Sequence, residues 1–283
     1  MNIDFLPLEE RHLDQAVQLS NAVGWPHRRC DWQRLLTLGS GVAGVHNGEL
    51  VATGMHWSFE ARLATLGLVI VSPDYKRQGL GRKVMETLLE AITATRIELH
   101  ATQAGADLYR SLGFKETAWV HQCQGWVADS MAGHVLSPLP PHTLLRAFRT
   151  SDYEAVIALD EQAIGSPRQA LLSSLLAQGE ALVLEQDDGQ LSGAAICRDF
   201  GRGYVIGPVM ADGHDAAKCL TEACLVRHSN SFVRLDTLDA DLAAWLDGIG
   251  ISEVDRIPQM VAGSDLPRSG PTKRYALASQ ALG

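Results

Sequence analysis

The octapeptide KRQGLGRK, residues 76–83, sets four cations around two glycines that stand one residue apart. Gly79 and Gly81 carry no Cβ, so the main chain there can approach a ligand closely. Lys76, Arg77, Arg82 and Lys83 supply positive charge, and Gln78 and Leu80 fill the positions between. An apolar run, LGLVIV (66–71), precedes the octapeptide and is closed by the turn residues Ser72, Pro73 and Asp74. The segment that follows, KVMETLLEAI, has helical spacing. Strand, basic glycine loop and helix in that order make a cradle for phosphate groups. The first helical turn leaves its N–H groups unpaired, and the helix dipole favours an anion there. The spacing is neither the G-x-x-x-x-G-K-[ST] of a nucleoside-triphosphate loop nor the full G-x-G-x-x-G of a dinucleotide site. A second grouping, ATQAGADLYRSLGFKE (101–116), sets Tyr109 on a short helical run just beyond a strand-like segment, RIELHAT (96–102).

The elements that must hold these residues recur twice along the chain. HLDQAVQLSNAVG (12–24) and SDYEAVIALDEQAIG (151–165) read as amphipathic helices, followed by helical runs at 31–39 and 168–179. A hairpin comes next in each half, turning at Asn47-Gly48 and at Asp188-Gly189, pairs that tolerate positive φ. LGLVIVSP (66–73) then matches IGPVMADG (206–213), and each leads into a helix. RIELHAT matches FVRLDTL (232–238), and a helix and short strands complete each half. The stretch DSMAGHVLSPLPPH (129–142) is rich in proline and small residues and reads as a linker. The expected organisation is residues 1–128, a linker at 129–141, and residues 142–283.

Composition bounds the function. The chain has 283 residues, enough for about two domains, with 46% hydrophobic and 20% charged residues. A net charge of -9 argues against a nucleic-acid binder, which needs a basic surface. The cations clustered at 76–83 therefore fit an anionic small molecule better than a polymer. Cys30, Cys123, Cys197, Cys219 and Cys224 are scattered and form no C-x-x-C pair, which points to a reducing compartment without a disulfide frame or zinc site. The absence of ~20 continuous apolar residues and an acidic, polar N-terminus lead to the expectation of a cytoplasmic protein with no membrane or nucleic-acid partner and no metal.

The string V-x-P-x-Y-K-R-Q-G-L-G-R-K-V-M, together with Tyr109-Arg110-Ser111-Leu112-Gly113-Phe114 in a Y-x-x-x-G-F register and the repeated element order, resembles the GNAT acyltransferase superfamily. The resemblance implies an α/β (α+β) fold of two GNAT-like domains, each a mixed, mostly antiparallel twisted sheet flanked by helices. It also implies acetyl-coenzyme A as cofactor. By that resemblance Lys76, Arg77, Gln78, Gly79, Leu80, Gly81 and Arg82 grip the diphosphate, and the strand residues Val69, Ile70 and Val71 pair with the pantetheine arm. A main-chain N–H near Ile70 or Val71 would face the thioester carbonyl and stabilise an oxyanion. Tyr109 is implied as the acid for the departing thiolate; a phenol near pKa ~10 and a thiol near ~8.5 are close enough for that hydrogen bond. The family writes its loop [QR]-x-x-G-x-[GA], and Lys76 departs from it, keeping the charge but losing arginine's flat head of donors.

The general base stays open among Glu60, His100, Glu98, His56 and a water chain. Trp25, His27, Arg28, Arg29 and Trp32 fall in NAVGWPHRRCDW (21–32), where the family places its acceptor loop. In the second half, His214 and Asp215 replace the glycine cradle, and alignment of Gly250 with Gly113 sets Leu246 at the tyrosine position. Tyr204, Asp236, Asp239 and Asp241 are weaker cleft candidates, since Asp239 and Asp241 have the placement of helix caps. The expected activity is acetyl transfer from acetyl-coenzyme A to a primary amine, small or peptidic, by direct attack in the first domain, with the second shaping the substrate cleft. The alternative is a non-catalytic coenzyme A-binding sensor or interaction module. The sequence leaves the acceptor, the acyl chain length and the oligomeric state open.

Overall fold

The computed structural model describes residues 3–131 and 137–283, so part of the expected linker lies outside the described residues. The first half of the chain forms β1 (Asp4–Pro7), α1 (Leu13–Ala22), α2 (Arg29–Leu38), β2 (Ser40–His46), β3 (Glu49–Phe59), β4 (Leu63–Val71), α3 (Leu80–Ala91), β5 (Arg96–His100), α4 (Ala106–Ser111) and β6 (Lys115–Trp126). The second half forms β7 (Thr143–Ala147), α5 (Tyr153–Ile164), α6 (Gln169–Leu176), β8 (Gly179–Gln186), β9 (Leu191–Phe200), β10 (Gly203–Ala211), α7 (His214–Arg227), β11 (Phe232–Thr237), α8 (Ala240–Gly248), β12 (Ser252–Gly263) and β13 (Lys273–Ala276). None of the described helices is long and apolar enough to cross a membrane.

Two compact units result. One holds the chain up to Thr117 together with Gln259–Ser264 and Leu282; the other holds Ala118–Pro258, Asp265–Ala281 and Gly283. The sequence boundary at 129–141 separates the two halves of the chain, whereas the compact units exchange strands across it. Most of β6 joins the second unit, and residues 259–263 of β12 pair with β5 in the first. Alternating apolar residues mark a strand without saying which edge it will pair with, so this exchange has no local signal.

In the first unit β1, β2, β3 and β4 run antiparallel, and β4 pairs with β5 in parallel. Asn47 and Gly48 take φ of 51° and 84°, as a two-residue hairpin requires. Two helical layers cover the sheet. Trp57 on β3 donates its indole N–H to Leu35 O of α2 at 2.9 Å. On the opposite face a Cβ at Gly54 would stand 2.5 Å from Val84 Cγ1 of α3. Leu80, Val84, Met85 and Leu88 form the buried stripe of α3 at i, i+4, i+5 and i+8. Val84, Met85 and Leu88 share a core with Leu66, Leu99, Tyr109 and Phe114, each large side chain contributing about 1.5–3 kcal/mol of burial.

In the second unit β7, β8, β9 and β10 are antiparallel, β10 meets β11 in parallel, β6 flanks β11, and β13 pairs with both β10 and β11. The hairpin at Asp188-Gly189 is longer than a two-residue turn. Only Gly189 takes a positive φ (83°), and Asp188 instead accepts a bond from the Gln190 amide at 2.9 Å. Cys123, Cys197, Cys219 and Cys224 are buried as small apolar residues. Burial pushes the Cys123 thiol up to about 12, far from a reactive thiolate.

Candidate active site

The site begins with a defect in β4. Thr53 of β3 faces Ile70, but Met55 faces Gly67, so Leu68 and Val69 together oppose the single residue Gly54. This is a β-bulge, and Leu68 carries it at φ 52°. The Thr53 hydroxyl pins it, donating to Leu68 O at 2.9 Å. Pairing with β5 stops just before the bulge, at Leu66 opposite Leu99, although β4 continues to Val71. The two parallel strands therefore part. Among the described residues no strand pairs with that edge of 67–71, and its main-chain groups are a template for an extended ligand. Val69 and Val71 lean partly buried on the α3 core, and Ile70 is buried across from Thr53 on the other face.

The chain leaves β4 through a 3-10 turn (Pro73–Tyr75), held by a bond between Tyr75 Oη and His46 Nδ1 at 2.9 Å. Arg77 (φ 63°) and Gly79 (φ 78°) both enter the left-handed region and swing the chain onto the N-terminus of α3. The earliest bond of the helix runs from the Lys83 amide to Gly79 O at 3.1 Å, so the amides of 79–82 precede it with no intrahelical acceptor. Lys76, Arg77, Gln78, Gly79 and Arg82 are exposed, and Leu80 is buried and anchors the turn. A Cβ at Gly81 would meet Leu108 Cδ2 at 3.4 Å and Val71 Cγ2 at 3.9 Å, so α3 starts close against α4 and the end of β4. Arg82 Nη2 donates to Ser111 Oγ at 2.7 Å, tying the cradle to the helix that carries Tyr109.

Tyr109 is 8% exposed and lies edge-on to Phe114, ring centroids 6.3 Å apart. Burial pushes its phenol up to about 12, so the hydroxyl keeps its proton throughout the neutral range. Gly113 takes φ 90° and lets the chain turn back to bury Phe114. Gly105 is a site residue that the motif alone did not reveal. A Cβ there would stand 2.9 Å from Tyr109 Cε2 and 3.4 Å from its hydroxyl. The available signal is the i, i+4 spacing from Gly105 to Tyr109, which stacks the two on one helical face.

The remaining candidates divide between the faces of the first sheet. Glu98 is buried on β5, accepting from Arg96 Nε at 2.7 Å and from Gln259 Nε2 at 3.1 Å. Its register partner on β4 is Thr65, which in turn pairs with Trp57 on the face under α2. His100 follows by alternation on that face, opposite Gln259. His56 pairs with Leu66 on the α3 face, where burial lowers its pKa and keeps it neutral. Glu60 lies in the exposed β3–β4 turn (φ 52°) beside Arg62. It precedes Leu66 by six residues, up to ~20 Å of extended chain.

In the segment 21–32 Trp25 and His27 are half-buried, their rings tilted with centroids 6.2 Å apart, and the His27 ring is in turn 6.1 Å from that of Trp32. Trp32 is core, not lining: it is fully buried and donates to Ser20 Oγ at 3.3 Å. The arginines are engaged as well. Arg28 clamps Asp31 with bonds of 2.9 Å from its Nε and its Nη2, and Arg29 reaches Asp14 at 2.9 Å. Burial raises the Asp31 carboxyl, but the Arg28 bonds outweigh it and hold the group below the usual carboxylate range.

The second unit keeps the element order without this chemistry. The chain passes from β10 directly into α7 at His214, and Leu246, fully buried, fills the tyrosine position with Gly250 at φ 90° behind it. Asp239 is a cap, accepting from the Leu242 amide at 2.7 Å. Asp236 is buried against Arg234 at 2.9 Å.

Models of the acetyltransferase (GNAT) domain match residues 40–116 and residues 156–276. Over its length the chain is similar to the uncharacterized N-acetyltransferase YitH of Bacillus subtilis (strain 168), at 28% identity over 291 residues, covering 99% of this chain and 98% of that protein. The crystal structure of a Pyrococcus horikoshii protein superposes with a TM-score of 0.79 at 19% identity, covering 99% of this chain and 96% of that one. A tandem GNAT protein from the clavulanic acid biosynthesis pathway superposes with a TM-score of 0.67 at 15% identity, covering 93% and 100%. Identities this low show a shared fold alone. With both halves matched by the same kind of domain, the chain belongs to the GNAT acetyltransferases as a tandem member, an acyltransferase of the N-acetyltransferase class.

Proposed function

We propose that the first unit binds acetyl-coenzyme A and transfers its acetyl group to a primary amine. One observation carries this reading: the unpaired β4 edge beyond Leu66 runs directly into an exposed loop of amides and cations, with the protonated Tyr109 on the adjoining α4. The diphosphate would sit on the amides of 79–82 with Lys76, Arg77 and Arg82 around it. The pantetheine would add to the β4 edge as an extra strand. The group to be held fits the donors present, which are main-chain N–H groups and cations suited to an anion.

In the transfer, the amine nitrogen attacks the thioester carbonyl and the C–O pair moves onto oxygen. A main-chain N–H near Ile70 or Val71 would stabilise that oxyanion. As the carbonyl re-forms, the C–S bond breaks and sulfur departs as thiolate. Full proton transfer from a phenol at about 12 to a thiolate near ~8.5 is uphill by ~3.5 units, about 5 kcal/mol. Tyr109 therefore acts first by donating a hydrogen bond to the developing charge. The amine must shed a proton, and Glu98 and His100 are the candidates on the α2 face at the point where β4 and β5 part.

The test is thioester consumption with a panel of small amines and peptide N-termini, comparing wild type with Tyr109→Phe. Turnover on one amine class that falls at least tenfold in the variant supports the proposal. Binding of the cofactor with no turnover on any amine would reduce the protein to a coenzyme A sensor.

A further inference from the structure

In the second unit the counterpart of the open β4 edge is filled by the chain itself. β10 and β11 start as a parallel pair, Tyr204 opposite Val233 and Val205 opposite Arg234. β10 then breaks register one residue before the position equivalent to the β4 bulge. Ile206 faces Cys197 and Val209 faces Ala195, so Gly207 and Pro208 share Ile196. In the repeat alignment these residues correspond to Gly67 and Leu68. Past this point β4 has a free edge, but β10 has a partner. Val209 faces Ala276, Met210 faces Arg274 and Ala211 faces Lys273, while Ala276 also faces Thr237 of β11.

The inserted segment is held on both walls. The Thr237 hydroxyl donates to Tyr275 O at 2.6 Å, and the Leu277 amide donates to Asp236 O at 2.9 Å. Arg198 donates to Gly207 O at 2.6 Å and, through its other terminal nitrogen, to Ala278 O. Leu277 O lies 1.9 Å from where a Cβ on Gly207 would stand, so only glycine admits it. Tyr275 is 6% exposed, and Ala276, Leu277 and Ala278 are fully buried. At the mouth, Thr272 donates to Asp212 Oδ1 at 2.6 Å, and His214 faces Asp239 at 3.3 Å. The turn that would meet a diphosphate thus carries Asp212 and Asp215, and Ala216 and Ala217 stand where the first unit has Lys76 and Arg77.

We propose that residues 272–278 permanently occupy the thioester groove of the second unit, a built-in strand in place of a pantetheine arm, so that the chain carries one acyl-coenzyme A site and not two. A ligand entering there would have to break a two-sided ladder, expose three fully buried residues and place its phosphates against carboxylates. The inference rests on the reading of the β4 edge as the pantetheine site.

The test has two arms on the full chain. In hydrogen exchange read by mass spectrometry, peptides spanning 272–278 should exchange as slowly as those of β9 and should not change when coenzyme A is added, whereas peptides of 66–82 should slow. Rapid exchange of 272–278 in the free protein, or its deprotection by coenzyme A, overturns the proposal. In equilibrium dialysis with radiolabelled coenzyme A, wild type should bind one equivalent and the Lys76→Glu/Arg77→Glu variant none. A second equivalent, or one that survives in that variant, overturns it. No binding to wild type with 272–278 still protected would sink the reading of the first unit while supporting the filled groove of the second.

Discussion

In the proposed transfer Tyr109 must meet two demands that pull in different directions. A proton donor must keep its proton, and burial ensures this by pushing the phenol up to about 12. It must also reach the sulfur, and Gly105 gives its ring the room to lie where it does. Gly105→Ala should therefore resemble loss of the hydroxyl. The new methyl displaces the ring, and kcat should fall ~10-fold or more with a stability cost of about 1–3 kcal/mol from overpacking. Steady-state kinetics beside thermal melts would separate the two effects, and full activity in a folded Gly105→Ala protein would count against a precise tyrosine position. The raised pKa has a signed consequence. The phenol ionises near ~10 in the unfolded chain and at about 12 when folded. The contribution is whole below pH ~10 and is lost as pH rises toward ~12, by up to about 3 kcal/mol. Melts from pH 8 to 11 should show a steeper alkaline fall for wild type than for Tyr109→Phe; parallel curves would contradict a buried phenol.

The bulge in β4 and the loop after it work as one element, because the first opens an edge and the second supplies charge at its end. Gly79 holds φ 78° with open space around its missing Cβ, so its role is conformational. Gly79→Ala should cost ~1–2 kcal/mol in backbone strain and weaken coenzyme A binding about tenfold, near 1.4 kcal/mol; fluorescence-detected titration would read it, and unchanged affinity would argue against the amide cradle. This level also shows what the sequence can carry. The strand, glycine loop and helix of 66–91, the Tyr109–Phe114 register and the Asn47-Gly48 hairpin were legible because each depends on a few neighbouring residues. The positive φ at Leu68 was not, since leucine gives no sign of it and Gly67 beside it gives only a faint one. Nor was the parting of β4 from β5, or the insertion of β13, because edge pairing is set by strands distant in sequence. The pairing of Arg28 with Asp31, three residues on, is by contrast a local feature of the sequence.

Across the whole molecule the exchange of strands makes the sequence halves poor folding units. A protein of residues 1–128 would lack the 259–263 strand that covers β5, leaving an unpaired edge and the polar groups of Glu98 without Gln259. It should aggregate or melt without a cooperative transition, as circular dichroism would show, while the full chain melts cooperatively; a well-folded 1–128 fragment would mean that the borrowed strand is dispensable. In the proposed reading, function in the full chain depends on one local event, the seating of a diphosphate on the amides and cations between β4 and α3. Calorimetric titration of acetyl-coenzyme A into wild type and into Lys76→Glu/Arg77→Glu examines that event without reference to any acceptor. Wild type should give a saturable heat and the variant no measurable binding over the same ligand range, at an unchanged melting temperature. No heat with folded wild-type protein, or equal affinities in the two, would contradict the assignment of this site.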